Sequence, residues 1–291
     1  MRRLLCSLLL CLPWAAFHAD ARADPRKDWD DFRAGLTEQA AGPTGMYAIQ
    51  DVAVIAPGEA AHLPAAARAA DLRWARQRGD AGAVTLSYRD GKAMLEGKGV
   101  AAIDLMQAKD HQQALPNGLT VRITPYEDSL KAWLYNPALT AQRFKGLSFF
   151  PYDPKGVVTG RFTRKDVPVA VSHLDSRNHT GVMYWIGDVA LPIQGKTYTL
   201  RAFNKQKDWK RIDHVLLFFT DKTSKKTSYG GGRSLETHFP AGAAPSSMTF
   251  NLNTMYSFLC AHSQYYNCPI NLTTFVPVEL KYGEKYPPSG K

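Results

Sequence analysis

The chain has 291 residues, with 36 Lys and Arg against 26 Asp and Glu, a formal net charge of +10 and 45% hydrophobic residues. That length holds one large domain or two small ones with a real core. No internal repeat, low-complexity tract or heptad pattern is present, and after the first residues no segment reaches the eighteen or so consecutive apolar residues of a membrane-spanning helix.

Residues 1–23 read as a cleavable leader. Arg2 and Arg3 start it, "LLCSLLLCLPWAAF" is its apolar run, broken by Pro13, and Ala21-Arg22-Ala23 offers small residues to a processing enzyme. The expected product is an exported, soluble chain beginning near Asp24, periplasmic or secreted. A lipid anchor at Cys11 is the rival reading, although the residues before it are leucines where a small one is wanted. Arg2-Arg3 lacks the polar neighbour and spacing of a signal for export of folded proteins. Without the leader the net charge is +8, which favours attraction to anionic surfaces of the cell envelope. The basic residues are scattered, with one denser stretch, "NKQKDWKR" at 204–211, so a solvated basic surface is the plainer reading. No RNA- or DNA-binding motif accompanies the charge, and no nucleic-acid partner is expected.

Asp24-Pro25 predicts a helix start, with Asp as cap and Pro at the first helical position. Trp29, Phe32 and Leu36 then share one face, and Gly42-Pro43 ends the helix. Strand signals dominate afterwards. "AVTLSYRDGKAMLEG" and "LPNGLTVRITPYEDSLKAWLYNP" alternate apolar and polar residues around Asp90-Gly91 and Asn117-Gly118 turns. Residues 65–78 are ambiguous: alanines suit a helix, but no clean stripe forms. Asn136-Pro137 marks a boundary, giving a β-rich subdomain over 43–137 and a β-rich domain over 138–287, with a tail at 288–291. In the latter, "VPVAVSHL", "GVMYWIG", "VALPIQG" with a turn at Gly195, "TYTLRAF", "HVLLFFT", "SMTFNLN" and "FVPVELKYG" read as strands. "HVLLFFT" is apolar enough to be central and buried on both faces. The fold class is all-β, an antiparallel sandwich or barrel-like arrangement with one N-terminal helix.

The two cysteines beyond the leader, Cys260 and Cys268 in "CAHSQYYNC", form an even pair in a chain expected to be exported, which reads as a disulfide. Closing that loop is worth roughly 2–3 kcal/mol on a chain-entropy argument. Zinc ligation with nearby His262 is the rival, but structural zinc sites use closer spacing and a second pair.

The second half resembles a bacterial family catalogued as domain of unknown function number 1684. The resemblance lies in "FKGLSFFPYDP", "LLFFTDKTSKKTSYGGGRSL", "MTFNLNTMYSFLCAHSQYYNCP" and "GEKYPP", spanning about 144–287. It implies fold and motif but no reaction. The "LPNGLTVRI" half fits the family's N-terminal part, which resembles a forkhead-associated β-sandwich. Thr249 stands where the family has Asp, "INLTTF" replaces its Pro-rich Glu-Asn step, and two residues are inserted between Asn251 and Cys260. If the missing acidic and amide groups did chemistry, this member is expected to lack it; if they were structural, the change means little.

"YGGGR", Tyr229-Gly230-Gly231-Gly232-Arg233, is the most conspicuous candidate. A nucleotide loop needs Lys and Ser/Thr after its glycines at a helix start, and Arg233-Ser234 follows here among strands. Two readings remain open. Arg233 offers its donor fork to a ligand carboxylate or phosphate, or it pairs internally with Asp221 and pins the loop to the end of "HVLLFFT". Among histidines, His173, Asp175 and His179 in "SHLDSRNH" are the best metal or acid–base group, since 173 and 175 share a strand face. A polar hairpin loop explains them as well. His238 and His262 flank the glycine and cysteine loops. No Gly-x-Ser-x-Gly elbow is present and no cofactor is implied. Tyr256, Phe258, Tyr265 and Tyr266 line a groove or pack against the cysteine loop. The first functional reading is a non-enzymatic envelope module binding a small anion or a partner at Asp221 and Tyr229–Arg233. The alternative is a metal-dependent or hydrolytic enzyme using His173/Asp175/His179 or His238/His262.

Overall fold

The computed structural model describes residues 24–65, 68–76, 84–175 and 180–286. The expected leader, His179 and the tail from 287 lie outside them. Helix α1 (Pro25–Ala41) begins where the sequence indicates: the Asp24 carboxylate accepts from the Arg26 amide at 2.9 Å, and Pro25 occupies the first turn.

The first half comprises β1 (Ile49–Ile55), β2 (Ala60–Leu63), β3 (Val84–Arg89), β4 (Lys92–Gly97), β5 (Val100–Asp104), β6 (Gln112–Ala114), β7 (Thr120–Tyr126) and β8 (Ser129–Tyr135). They form two four-stranded antiparallel sheets, ordered β1-β8-β7-β6 and β2-β3-β4-β5. Leu63, Leu86 and Leu95 from one sheet meet Ile55, Val121, Ile123 and Leu134 from the other in a common core, so the pair is a sandwich. The β3–β4 turn, Asp90-Gly91, has positive φ at both residues, the tight hairpin its sequence specifies. The ambiguous stretch contains a short 3₁₀ turn, Ala69–Asp71.

The Asn136-Pro137 step, read as a boundary, is a helix start. Asn136 caps α2 (Pro137–Arg143) by accepting from the Ala138 amide at 3.1 Å. The second half then contains β9 (Ser148–Phe149), β10 (Val157–Leu174), β11 (Thr180–Ile193), β12 (Lys196–Asn204), β13 (His214–Asp221), β14 (Arg233–His238), β15 (Ser247–Asn251), β16 (Tyr256–Ser257), β17 (Thr274–Val276) and β18 (Glu284–Lys285). One eight-stranded sheet runs β15-β10-β11-β12-β13-β14-β16, with β17 parallel to β13, while β18 pairs with β9. Strand β13 is central: Val215, Leu217 and Phe219 enter one apolar cluster and Phe218 the opposite one.

The halves meet around α1. Its Leu36 and Ala40 pack with Met46 among Tyr47, Phe144, Leu147, Phe149, Tyr256 and Leu259. Tyr265 and Tyr266 of the cysteine loop pack on Ile49, Trp133 and Tyr135, and the Tyr265 hydroxyl donates to the Gln50 carbonyl at 2.5 Å. These contacts shape a cleft at the junction. Among the described residues no helix is long and apolar enough to cross a membrane.

Candidate functional site

The glycine loop is built inward. At the end of β13 the Asp221 carboxylate accepts from the Thr223 amide at 2.7 Å, and its other oxygen accepts from Arg233 Nη2 at 2.6 Å. Arg233 also donates to the Tyr282 carbonyl at 2.6 Å and the Leu280 carbonyl at 2.9 Å. Both side chains of the pair are 0% exposed. Burial pulls the Arg233 guanidinium below its ordinary pKa, and Asp221 opposes that shift. Of the three glycines, Gly232 alone has a left-handed φ, +120°. A Cβ there would lie 2.9 Å from Thr273 Cγ2 and 3.2 Å from the Phe219 carbonyl. The geometry is that of the internal corner: the Arg233 fork is turned into the protein, not toward a ligand.

Of the loop's exposed residues, Lys226 and Thr227 border the junction cleft. This cavity, about 570 Å³, is lined by Tyr47, Arg143 to Ser148 apart from Phe144, Lys226, Thr227, His262, Glu284, Lys285 and Tyr286. Its floor is a buried polar chain. The Tyr47 hydroxyl is 3.0 Å from His262 Nδ1, and His262 Nε2 is 3.1 Å from Glu284 Oε1. The other Glu284 oxygen accepts from the Ser257 amide at 2.8 Å. The histidine and glutamate side chains are 2% and 1% exposed. Burial, then the Glu284 charge, raises the pKa values of both Tyr47 and Tyr286, keeping their hydroxyls protonated as donors. The rim is cationic: Arg143, Lys145, Lys226 and Lys285. Among the described residues none of these four forms an ion pair with a carboxylate. A groove of similar size, about 550 Å³, runs past Asp153, Lys222, Glu279 and Lys281; two of its charges, Lys281 and Glu279, pair at 2.8 Å, and no histidine lines it.

Cys260 and Cys268 are adjacent but are present as thiols rather than bridged. The Cys260 amide lies 3.2 Å from Cys268 Sγ. The Cys268 thiol is pushed far above its ordinary pKa, first by its hydrogen bond with Cys260 and then by burial. The Tyr229 hydroxyl, 3.7 Å from Cys260 Sγ, joins this group to the cleft, since its ring stands edge-on to Tyr286 at 5.1 Å.

The other histidines part company. His173 lies near the end of β10, Asp175, buried, directly follows that strand, and His179 lies outside the described residues. His238 and His262 do not meet. His238 closes β14, whereas His262 follows β16, which pairs with the start of β14. Five residue steps along a strand separate those ends by about 16 Å. Tyr47 and Glu284 escape a reading of motifs for chemistry because they come from opposite halves. Glu284 sits in the quoted "GEKYPP", but nothing local marks it as facing His262.

Residues 142–285 match the family described as "Protein of unknown function (DUF1684)". No curated protein matches the chain. Among solved structures, the solution structure of the uncharacterised protein from gene locus rrnAC0354 of Haloarcula marismortui is similar, at 26% identity over 50% of this chain and 79% of that one, with a TM-score of 0.41.

Proposed function

Taking as premise that this chain belongs, through residues 142–285, to the DUF1684 family of proteins of unknown function, we propose that it binds a small carboxylate- or phosphate-bearing ligand in the junction cleft. The observation that carries this reading is the convergence of Arg143, Lys145, Lys226 and Lys285 around a floor holding Tyr47, His262 and Glu284. Four cationic groups around a concave site raise the local concentration of anions, and the floor supplies directional hydrogen bonds. The floor contributes one carboxylate, Glu284, which accepts from the Ser257 amide, against four cationic groups on the rim. Glycine-loop involvement is then through Lys226 and Thr227 rather than through Arg233.

A second reading follows from one specific feature. His262 lies between Glu284, 3.1 Å from Nε2 but not in hydrogen-bond geometry, and the Tyr47 hydroxyl at Nδ1, and a small rotation of the ring would complete an acid–base relay with Tyr47 facing the ligand. Export after removal of residues 1–23, and closure of Cys260–Cys268 in an oxidising compartment, belong to the same proposal. They are supported by the leader's composition and by the thiols' adjacency.

The test is calorimetric titration of the mature chain with inorganic phosphate and with small dicarboxylates, beside Lys226→Glu/Lys285→Glu. We expect saturable binding in the parent and at least tenfold weaker binding in the variant. Absence of binding in the parent overturns the reading. Binding without catalytic turnover favours the module, and turnover lost in His262→Gln favours the enzyme.

A further inference from the structure

The far end of the β13–β14 ladder holds a second polar cluster, separate from the cleft. The antiparallel register sets His214 directly opposite His238, with ring centroids 5.3 Å apart. Glu236 lies two residues before His238 and therefore on the same face. Glu236 Oε1 is 3.1 Å from His238 Nε2 and 3.8 Å from His214 Nε2. The ligand-capable atoms of all three residues lie within 4.8 Å of one another. We propose that His214, Glu236 and His238 form a binding site for a divalent first-row transition metal such as zinc.

Three features point to an ion. First, both imidazoles present the same nitrogen, Nε2, to a common point beside one carboxylate, which is the two-histidine, one-carboxylate donor set that suits zinc and its neighbours. Second, Asp213 Oδ1 accepts from His214 Nδ1 at 2.6 Å. That bond fixes the proton on Nδ1 and leaves the Nε2 lone pair free for a metal, as carboxylates behind metal-bound histidines do. Third, Asp213 and Glu236 together give the cluster two formal negative charges against two imidazoles, a surplus that a dication neutralises.

Access and adjustment are both available. The His238 side chain is 68% exposed and Glu236 and His214 are half-buried. Bonds of about 2.1 Å in a tetrahedral site place donor atoms roughly 3.4 Å apart. Closing from the present spacing requires rotation of His238, which its exposure permits. Three protein ligands leave at least one position for water or a substrate group, as in catalytic rather than structural zinc sites. The competing reading is a surface ion-pair cluster in which Glu236 simply accepts from both rings.

The experiment uses the untagged mature chain, stripped with chelator and titrated with zinc by calorimetry and with cobalt by visible absorption. One ion per chain is expected, with a thermal melt that rises on zinc addition. His238→Ala and Glu236→Gln should each weaken binding at least tenfold while leaving the metal-free melt nearly unchanged. Asp213→Asn should weaken zinc by about ten- to a hundredfold through misorientation of His214. No saturable zinc binding, or binding that His238→Ala leaves intact, overturns the site. Because the anion cleft lies at the opposite end of β14 and its titrations can be repeated on the chelator-stripped chain, either proposal can fail without the other.

Discussion

Strand β14 starts and ends on charge, and its two ends behave as opposites. At its first residue, Arg233 is sealed, its terminal guanidinium nitrogens bonded to Asp221 and to the Leu280 and Tyr282 carbonyls. At its last residue, His238 is open, and its neighbours Glu236 and His214 have donor atoms directed at shared space. The first arrangement leaves only the buried Arg233 Nε without a partner, and with both side chains fully buried no ligand reaches it, so its polarity serves the fold. The second is loosely held by the protein and costs little to reorganise. Charge in a sequence therefore does not announce a site; what matters is whether the fold has already supplied the partners.

The largest test of that contrast is removal of the buried pair. Arg233→Ala leaves the buried Asp221 charge without its countercharge and two backbone carbonyls without their donor, and should lower stability by about 3–5 kcal/mol in denaturant titration. Asp221→Ala should be comparably damaging. The combination Asp221→Leu/Arg233→Met should be far milder than the sum of the single changes, because it strands neither charge. At the open end, His238→Ala in metal-free protein should change stability by less than about 0.5 kcal/mol. Equal losses at both ends would erase the distinction.

The cysteine pair sharpens the comparison, since it is neither sealed nor open. Its bridge, expected from the sequence, is absent from the structure, yet the Cys268 sulfur already receives the Cys260 amide. With the Cys268 thiol held protonated, it is a poor nucleophile, so oxidation should begin at the more accessible Cys260. Exchange with a disulfide of an oxidising catalyst would release two thiols from that catalyst and join Cys260 to Cys268. Intact mass before and after reduction should reveal the bridge, and its closure should raise stability by roughly 2–3 kcal/mol. Protein recovered from its own compartment with both thiols alkylatable would show that the pair works reduced.

How much of this was legible follows the range of each signal. The α1 cap, the Asp90-Gly91 hairpin and the Gln194-Gly195 turn are written in adjacent residues and were readable as such. The β10–β11 hairpin was not: it reads as three separate strands, with the first half of β10 unassigned. The charged "RFTRKD" and Gly187 interrupt the apolar pattern, but the chain passes them as register shifts, between Arg164 and Val169 in the β10–β11 ladder and between Trp185 and Gly187 in the β11–β12 ladder. Asp221 and Arg233 could be paired from sequence because a single loop joins them. His214 with His238, and Tyr47 with His262 and Glu284, depend on register and on packing between halves, which no local pattern encodes.

The smallest expected effect concerns His173, an imidazole midway between the sealed and open cases. It lies on β10 opposite Gly181, where a side chain would approach the ring within 2.9 Å, so the glycine makes room for it. Burial lowers its pKa below the ordinary histidine value, against weaker opposing effects of the Val171 backbone and the Asp175 charge. The unfolded chain therefore binds a proton, near pH 6.5, before the folded chain does. Stability contributed by neutral His173 is intact above that pH, is lost progressively as pH falls toward the folded pKa, and is constant below it. Thermal melts of His173→Gln across this window should show a shallower acid loss than the parent. The substitution should leave the phosphate and zinc titrations unchanged, since both proposed sites lie on other elements. Identical pH profiles for parent and variant would mean that this ring is as open to water as His238.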